Sequence, residues 1–237
     1  MIEIILFVVL FIFTYFFSAL VHELGHVLVG LANGWKLLIL VIGPLGLKRK
    51  DEELVVYLEK NPVLWAGVGG TYPSEKNDDN IKIWSKILLA GPIASIISGI
   101  IFLIVNYFHY HIAWLMLGAV PIGMGVACLL PLKTGLTYTD GKRWWRLMHG
   151  GQGAEEEKAL FKMLEYDLFI KDKSLMKKQD FEALLDAKLP AIRYYGYYYL
   201  YQFSDVNNDL DHKAKALKVL NELKSKVPKI VVDDCKL

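Results

Sequence analysis

SALVHELGHVLVG, Ser18 to Gly30, places two histidines and a glutamate at the end of an otherwise apolar segment. The 18 residues from Ile4 to Val21 carry no charge. About 20 apolar residues in a helix cross a hydrocarbon core of about 30 Å. The run is therefore expected to span a bilayer, with His22 about 27 Å along it at 1.5 Å per residue. Ionisable side chains are costly at such a depth and mark function there.

The spacing points to metal chemistry. His22 and His26 stand at i and i+4, so one helix face presents both rings. Two imidazoles so placed grip one Zn²⁺ at Zn–N distances of about 2.0–2.1 Å. Glu23 falls beside the metal rather than on it. There it can take a proton from an activated water and pass it to a leaving amine. Gly25 keeps the turn slim, so a second helix or a substrate can come close. The short pattern recurs by chance in soluble proteins, but within a span every charge has to be compensated, which favours the metal.

Composition agrees with a membrane protein. The 237 residues are 54% hydrophobic, with a mean hydropathy of +0.32. A net charge of +2 implies no nucleic-acid partner. Cys128 and Cys235 are far apart and form no disulfide framework. Two further runs, Ile87–Tyr107 and Ile112–Leu132, are each 21 residues long and free of charge. The first run lacks the basic flank and A-x-A-like site of a cleaved signal peptide, so it is expected to remain as a span. Lys and Arg crowd the stretch between the first and second runs and return after the third at Lys142, Arg143 and Arg146. The positive-inside rule then puts the N-terminus outside and both the long loop and the C-terminal part in the cytoplasm.

A catalytic zinc takes three protein ligands and keeps one position open. The metzincin position for a third histidine is Ala32, and its usual glycine position is Val29. Glu52, Glu53 and Glu59 lie in a charged stretch, DEELVVYLEK, that reads as a solvated strand. Asp140, in TYTDGKRWW, is the stronger candidate, because the third span returns to the side where His22 and His26 already lie. His149 is the alternative.

Three motifs now stand in order: HELGH, LAGPIAS at Leu89–Ser95, and CLLPLKTGLTYTDG at Cys128–Gly141. In these the chain resembles the site-2 protease family, the M50 group of intramembrane zinc metalloproteases, in its bacterial type without an inserted PDZ domain. The resemblance implies that His22, His26 and Asp140 bind one zinc and that Glu23 is the catalytic acid/base. It also makes Cys128 and Ser95 candidates for substrate or oxyanion contact, with Gly25, Gly91, Pro92, Pro131 and Gly141 as structural residues near the site. Two departures stand out. Cys128 occupies the place of the family's usual asparagine, and the gap from Pro131 to Asp140 is longer than in the shortest versions of the motif.

The implied architecture is mainly α and polytopic: about three transmembrane helices, a membrane-associated β-hairpin region and a cytoplasmic helical domain. The core is expected over residues 1–149 and the helical domain over 150–237. Gly91, Ser95 and Gly99 form a small-residue strip suited to close helix packing, and Pro92 is placed near the cytoplasmic start of its helix. KLLILVIG and ELVVYLE read as strands, with turns at Gly43-Pro44 and Lys50-Asp51. An open strand edge there can take an unwound substrate as an added strand. Helices are expected at 154–170, 177–189, 191–203 and 210–226. The last two resemble a tetratricopeptide-type pair, and a cytoplasmic partner for these helices is a possibility the pattern raises. DVNNDLD lacks the glycine and glutamate of a calcium loop. The expected partners are a membrane-spanning protein or peptide substrate and the lipid bilayer. The alternatives are a membrane zinc protein without protease activity and an inactive adaptor; Glu23 argues against the first and the intact His22, Glu23, His26 and Asp140 against the second.

Overall fold

The computed structural model describes all residues except 51–52, 76, 78, 135–136, 168–172 and 236–237. The chain divides into two compact units, Met1–Leu130 and Pro131–Leu237.

The first unit contains three helices long and apolar enough to cross a membrane. They are α1 (Ile2–Ala32), α2 (Asn80–Phe108) and α3 (Ile112–Leu129). Each runs through one of the expected apolar stretches, and two of them overrun it. Hydropathy stops where charge or polarity enters, whereas backbone hydrogen bonding continues. Thus α1 extends eleven residues past Val21, which leaves HELGH within the helix rather than at its end. Apolar side chains such as Phe7, Val9, Ile97, Ile101 and Ile104 stay exposed, as lipid-facing residues do. His111, between α2 and α3, opens α3 by accepting the amide of Ala113 at 3.1 Å and is a helix cap.

The position expected for Pro92 is corrected. α2 begins at Asn80, and Pro92 lies inside it and fully buried. A proline there removes the N–H that Leu88 would have bonded and opens the carbonyl ladder at that turn.

Between α1 and α2 lie four strands, β1 (Lys36–Ile42), β2 (Leu45–Lys50), β3 (Glu53–Leu58) and β4 (Val68–Tyr72). They form one antiparallel sheet in the order β3-β2-β1-β4, larger than the expected hairpin. The β1–β2 turn falls at Gly43-Pro44, where Gly43 adopts φ +56°, a left-handed value that glycine takes without penalty. Asp51, of the second expected turn, lies outside the described residues, while Lys50 pairs with Glu53 across it. β4 has one strand neighbour, β1, and forms an edge of the sheet.

The second unit is helical: α4 (Asp140–His149), α5 (Gly151–Glu165), α6 (Glu182–Leu185), α7 (Pro190–Val206), α8 (Leu210–Leu223) and α9 (Lys229–Asp234). The expected helix over 177–189 is broken into short turns and α6. Phe181, Leu184, Leu189, Ile192 and Leu200 form its core, joined by the tyrosines of α7. Tyr199 donates to Asp167 at 2.6 Å, and burial first, then that carboxylate, raises its phenol pKa well above the ordinary value.

Within the second unit α4 is tied to α5. Arg146 is buried, pairs with Glu156, and bonds the Gly153 carbonyl at 3.1 and 3.2 Å. Arg143 reaches the fully buried Glu157 at 3.0 Å. Tyr138 stacks on the Arg146 guanidinium at 4.4 Å.

Candidate metal centre

The centre starts with α1. Its i, i+4 spacing brings His22 and His26 to one face, both buried, with their Nε2 atoms 3.2 Å apart. What fixes the rings comes from α2. His26 Nδ1 lies 2.6 Å from the Ile87 carbonyl, an atom that only accepts, so Nδ1 carries the proton. His22 Nδ1 lies 3.1 Å from Ser95 Oγ, and Ser95 donates its own proton to the Gly91 carbonyl at 3.1 Å. The serine therefore accepts from His22, and His22 Nδ1 is also protonated. Both Nε2 lone pairs are then turned toward each other, an arrangement that calls for a cation. Two nitrogens on one tetrahedral zinc with arms of about 2.0–2.1 Å sit about 3.3 Å apart. The observed spacing fits, and the partners on Nδ1 supply the outer hydrogen bonds that orient metal-binding histidines.

Glycines give these groups room. A Cβ on Gly91 would sit 2.3 Å from His26 Nε2, and one on Gly25 would sit 2.6 Å from the Ala90 carbonyl and 2.9 Å from Gly91 Cα. The expected close approach at Gly25 is thus between α1 and α2. Further along, Gly99 meets α3 at the Gly118 carbonyl, 2.4 Å from its would-be Cβ, so the small-residue strip serves two helix contacts.

Glu23 is half-buried on α1 and faces the sheet. A Cβ on Gly67 would lie 3.1 Å from Glu23 Oε1, and one on Gly69 would lie 2.8 Å from Oε2. Further along α1, Gly30 abuts Thr71. The edge strand β4 thus runs beside the carboxylate, with Gly69 within it and Gly67 just before it next to the carboxylate oxygens. Two acidic residues considered at the outset lie elsewhere in the sheet region. Glu59 is engaged with Tyr57 at 3.1 Å and the Asn61 amide at 2.7 Å, and Glu53 is exposed on β3. Glu52 lies outside the described residues.

Cys128 is near the end of α3, with its sulfur within 4.8 Å of a ring nitrogen of His22. One turn earlier, Gly125 packs on Pro92 and Ser95, the serine that holds His22.

In the second unit, Asp140 is the first residue of α4, where the positive end of a helix favours a carboxylate. The long gap before it is closed on itself. Thr139 donates its amide to the Leu132 carbonyl at 3.1 Å and its hydroxyl accepts the Leu132 amide at 3.2 Å, while Lys133 bridges Tyr138. The path from Pro131 to Asp140 is therefore short in space despite its length in sequence. Gly141, the next residue of α4, is buried. His149 stands nine residues on, about 13 Å along the helix by its rise. Its Nδ1 faces the Trp145 carbonyl at 2.9 Å, and its ring stacks on Trp145. Asp140 and His149 cannot serve one ion together.

The Ile87 carbonyl and the glycines at 67 and 69 were not singled out from the sequence. A backbone carbonyl leaves no trace in side-chain identity, and the need for a glycine at 69 depends on the Glu23 side chain packed against it. A sequence model of the family described as Peptidase family M50 matches residues 10–231. No curated protein and no solved structure matches the chain.

Proposed function

The chain belongs to peptidase family M50, and from that membership and the ring geometry at His22 and His26 we propose that it is an intramembrane zinc endopeptidase. It hydrolyses peptide bonds within or near membrane-spanning segments of substrate proteins or peptide precursors. The observation that carries the reading is the pair of Nε2 atoms 3.2 Å apart, with both Nδ1 atoms already occupied. In this reading His22, His26 and Asp140 hold one zinc. When bound, zinc polarises the scissile carbonyl and acidifies water.

The chain's own residues do the rest. Glu23 accepts the proton of the attacking water and returns it to the leaving amine. Ser95 and the Ile87 carbonyl keep the two rings on target. A spanning helix hides its amides in hydrogen bonds, so a substrate has to unwind before it is cut. The edge strand β4, which runs beside Glu23, suits an unwound segment added as a further strand. The arrangement in the membrane follows the charge pattern: N-terminus outside, second unit cytoplasmic.

The test uses purified full-length protein in lipid with a model substrate span. Glu23→Gln is expected to keep its metal and its fold and to lose cleavage. Near-normal cleavage by that variant would refute the assigned base, and a wild type that binds zinc but cuts no span would favour a membrane zinc protein without protease activity.

A further inference from the structure

Resting on the zinc peptidase reading, we propose that Cys128 is a direct ligand of the metal held by His22 and His26. Cys128 places a sulfur donor near the C-terminal end of α3. Its sulfur lies within 4.8 Å of a His22 ring nitrogen. A nitrogen and a sulfur on one tetrahedral zinc, with arms of about 2.0–2.1 and 2.3 Å, sit about 3.6 Å apart. The gap to be closed is about 1.2 Å at most, the difference between the two, within reach of a rotation of the cysteine side chain.

Two independent features aim the sulfur at the metal. The first is α3. Gly125 is pressed against Pro92 and Ser95, with a would-be Cβ 3.2 Å from Ser95 Cβ. Position 128 follows at i+3 on the same face. Ser95 in turn bonds His22. The α3 face that carries Cys128 is therefore held against the helix turn that orients the histidine. The second is the pair of buried imidazoles, whose facing lone pairs call for a cation whatever the cysteine does. Cys128 thus joins a cluster of converging donors within one compact unit.

The chemical consequence is a softer donor set. Thiolate selects zinc and similarly soft ions over magnesium, calcium and manganese, which favour oxygen ligands. With His22, His26 and Asp140 the sulfur completes four protein ligands, so the proposed cleavage requires Cys128 to leave the metal and free the position that a catalytic ion keeps open.

X-ray absorption at the zinc edge, on the full chain loaded with zinc in detergent, tests the assignment. The expected spectrum has a sulfur shell at about 2.3 Å beside nitrogen and oxygen at about 2.0–2.1 Å. Cys128→Ser should lose the sulfur shell, and Cys235→Ser should keep it. Should Cys128→Ser fail to fold, the wild-type and Cys235→Ser spectra still decide. Bound zinc with nitrogen and oxygen alone, or a sulfur shell that survives Cys128→Ser, overturns the proposal and leaves the peptidase reading standing. A wild type that binds no zinc, or that binds it equally well after His22→Ala, overturns both.

Discussion

Replacing Gly91 with alanine tests whether room for one ring is what makes the centre. The added Cβ would fall 2.3 Å from His26 Nε2, 2.6 Å from Cε1 and 2.7 Å from Cδ2. Ordinary contact begins near 3.4 Å, so Nε2 has to retreat by about 1.1 Å, the difference between the two. The ring cannot swing freely, because Nδ1 is tied to the Ile87 carbonyl at 2.6 Å. Zinc sites tolerate deviations of only about 0.2 Å from ideal ligand distances. A displacement several times larger should cost at least about a hundredfold in zinc affinity, or ~2.8 kcal/mol.

Overpacking itself costs about 1–3 kcal/mol of folding stability, so the assay needs a matched control. Gly99→Ala provides one, since its Cβ would meet the Gly118 carbonyl at 2.4 Å, in the α2–α3 contact. Gly123→Ala, with nothing within 4 Å, is the neutral reference. Zinc affinity would be measured on folded protein by competition with a chelator, alongside thermal unfolding. Gly91→Ala should lose affinity beyond its loss of stability, Gly99→Ala should lose stability alone, and Gly123→Ala should lose neither. If folded Gly91→Ala binds zinc like the wild type, or if Gly99→Ala loses as much affinity, the cradle argument fails.

Asp140→Ala should weaken zinc retention on dialysis while His149→Ala leaves it unchanged; the reverse ranking would remove Asp140 from the site. Ser95→Ala deletes the acceptor for His22 Nδ1, and loss of such an outer hydrogen bond typically costs about 10–100-fold in metal affinity. An unchanged affinity there would mean that Ser95 does not orient the ring. Glu157→Gln leaves Arg143 and Arg146 short of a buried counter-charge and should destabilise the second unit by about 3 kcal/mol or more. Denaturant unfolding followed through the tyrosines of α7 reads this directly, and a change within about 0.5 kcal/mol, as at an ordinary surface position, would contradict it.

Much of the first unit is legible in composition, because lipid demands long apolar helices and little else makes them. The three apolar runs announce α1, α2 and α3. Their ends are not legible, since the polar turn from Asn80 to Lys86 looks like loop until it is seen hydrogen-bonded as helix. That extension is what carries Pro92 into the helix interior. β2, LGLKRK, has no β-branched or aromatic residue, and β4, VGGTY, has two glycines in its interior, so neither reads as a strand until it pairs with β1 or, for β2, with both its neighbours. HELGH is legible because zinc chemistry fixes both residue type and spacing. The distance to Asp140 is not, because the closure of Leu132 on Thr139 depends on a hydroxyl and two backbone groups that could have paired elsewhere.

The residues hardest to find share one physical property: they act by absence. Gly91 matters because it leaves His26 its space, and Gly69 because it leaves space for the Glu23 carboxylate. Glycine weakens a helix or strand interior by roughly 0.5–1 kcal/mol relative to alanine, so a glycine kept there needs a neighbour that requires it. In α2 and β4 those neighbours are the same short stretch of α1, residues 23 to 26. α1 supplies the reactive side chains, and the elements on either side supply the vacancies and the carbonyls that hold them. The ionisable groups at the end of the first apolar run are therefore compensated locally. His22 and His26 face α2, and Glu23 faces β4. That compensation allows a segment made for lipid to carry two histidines and a glutamate within a single turn of helix.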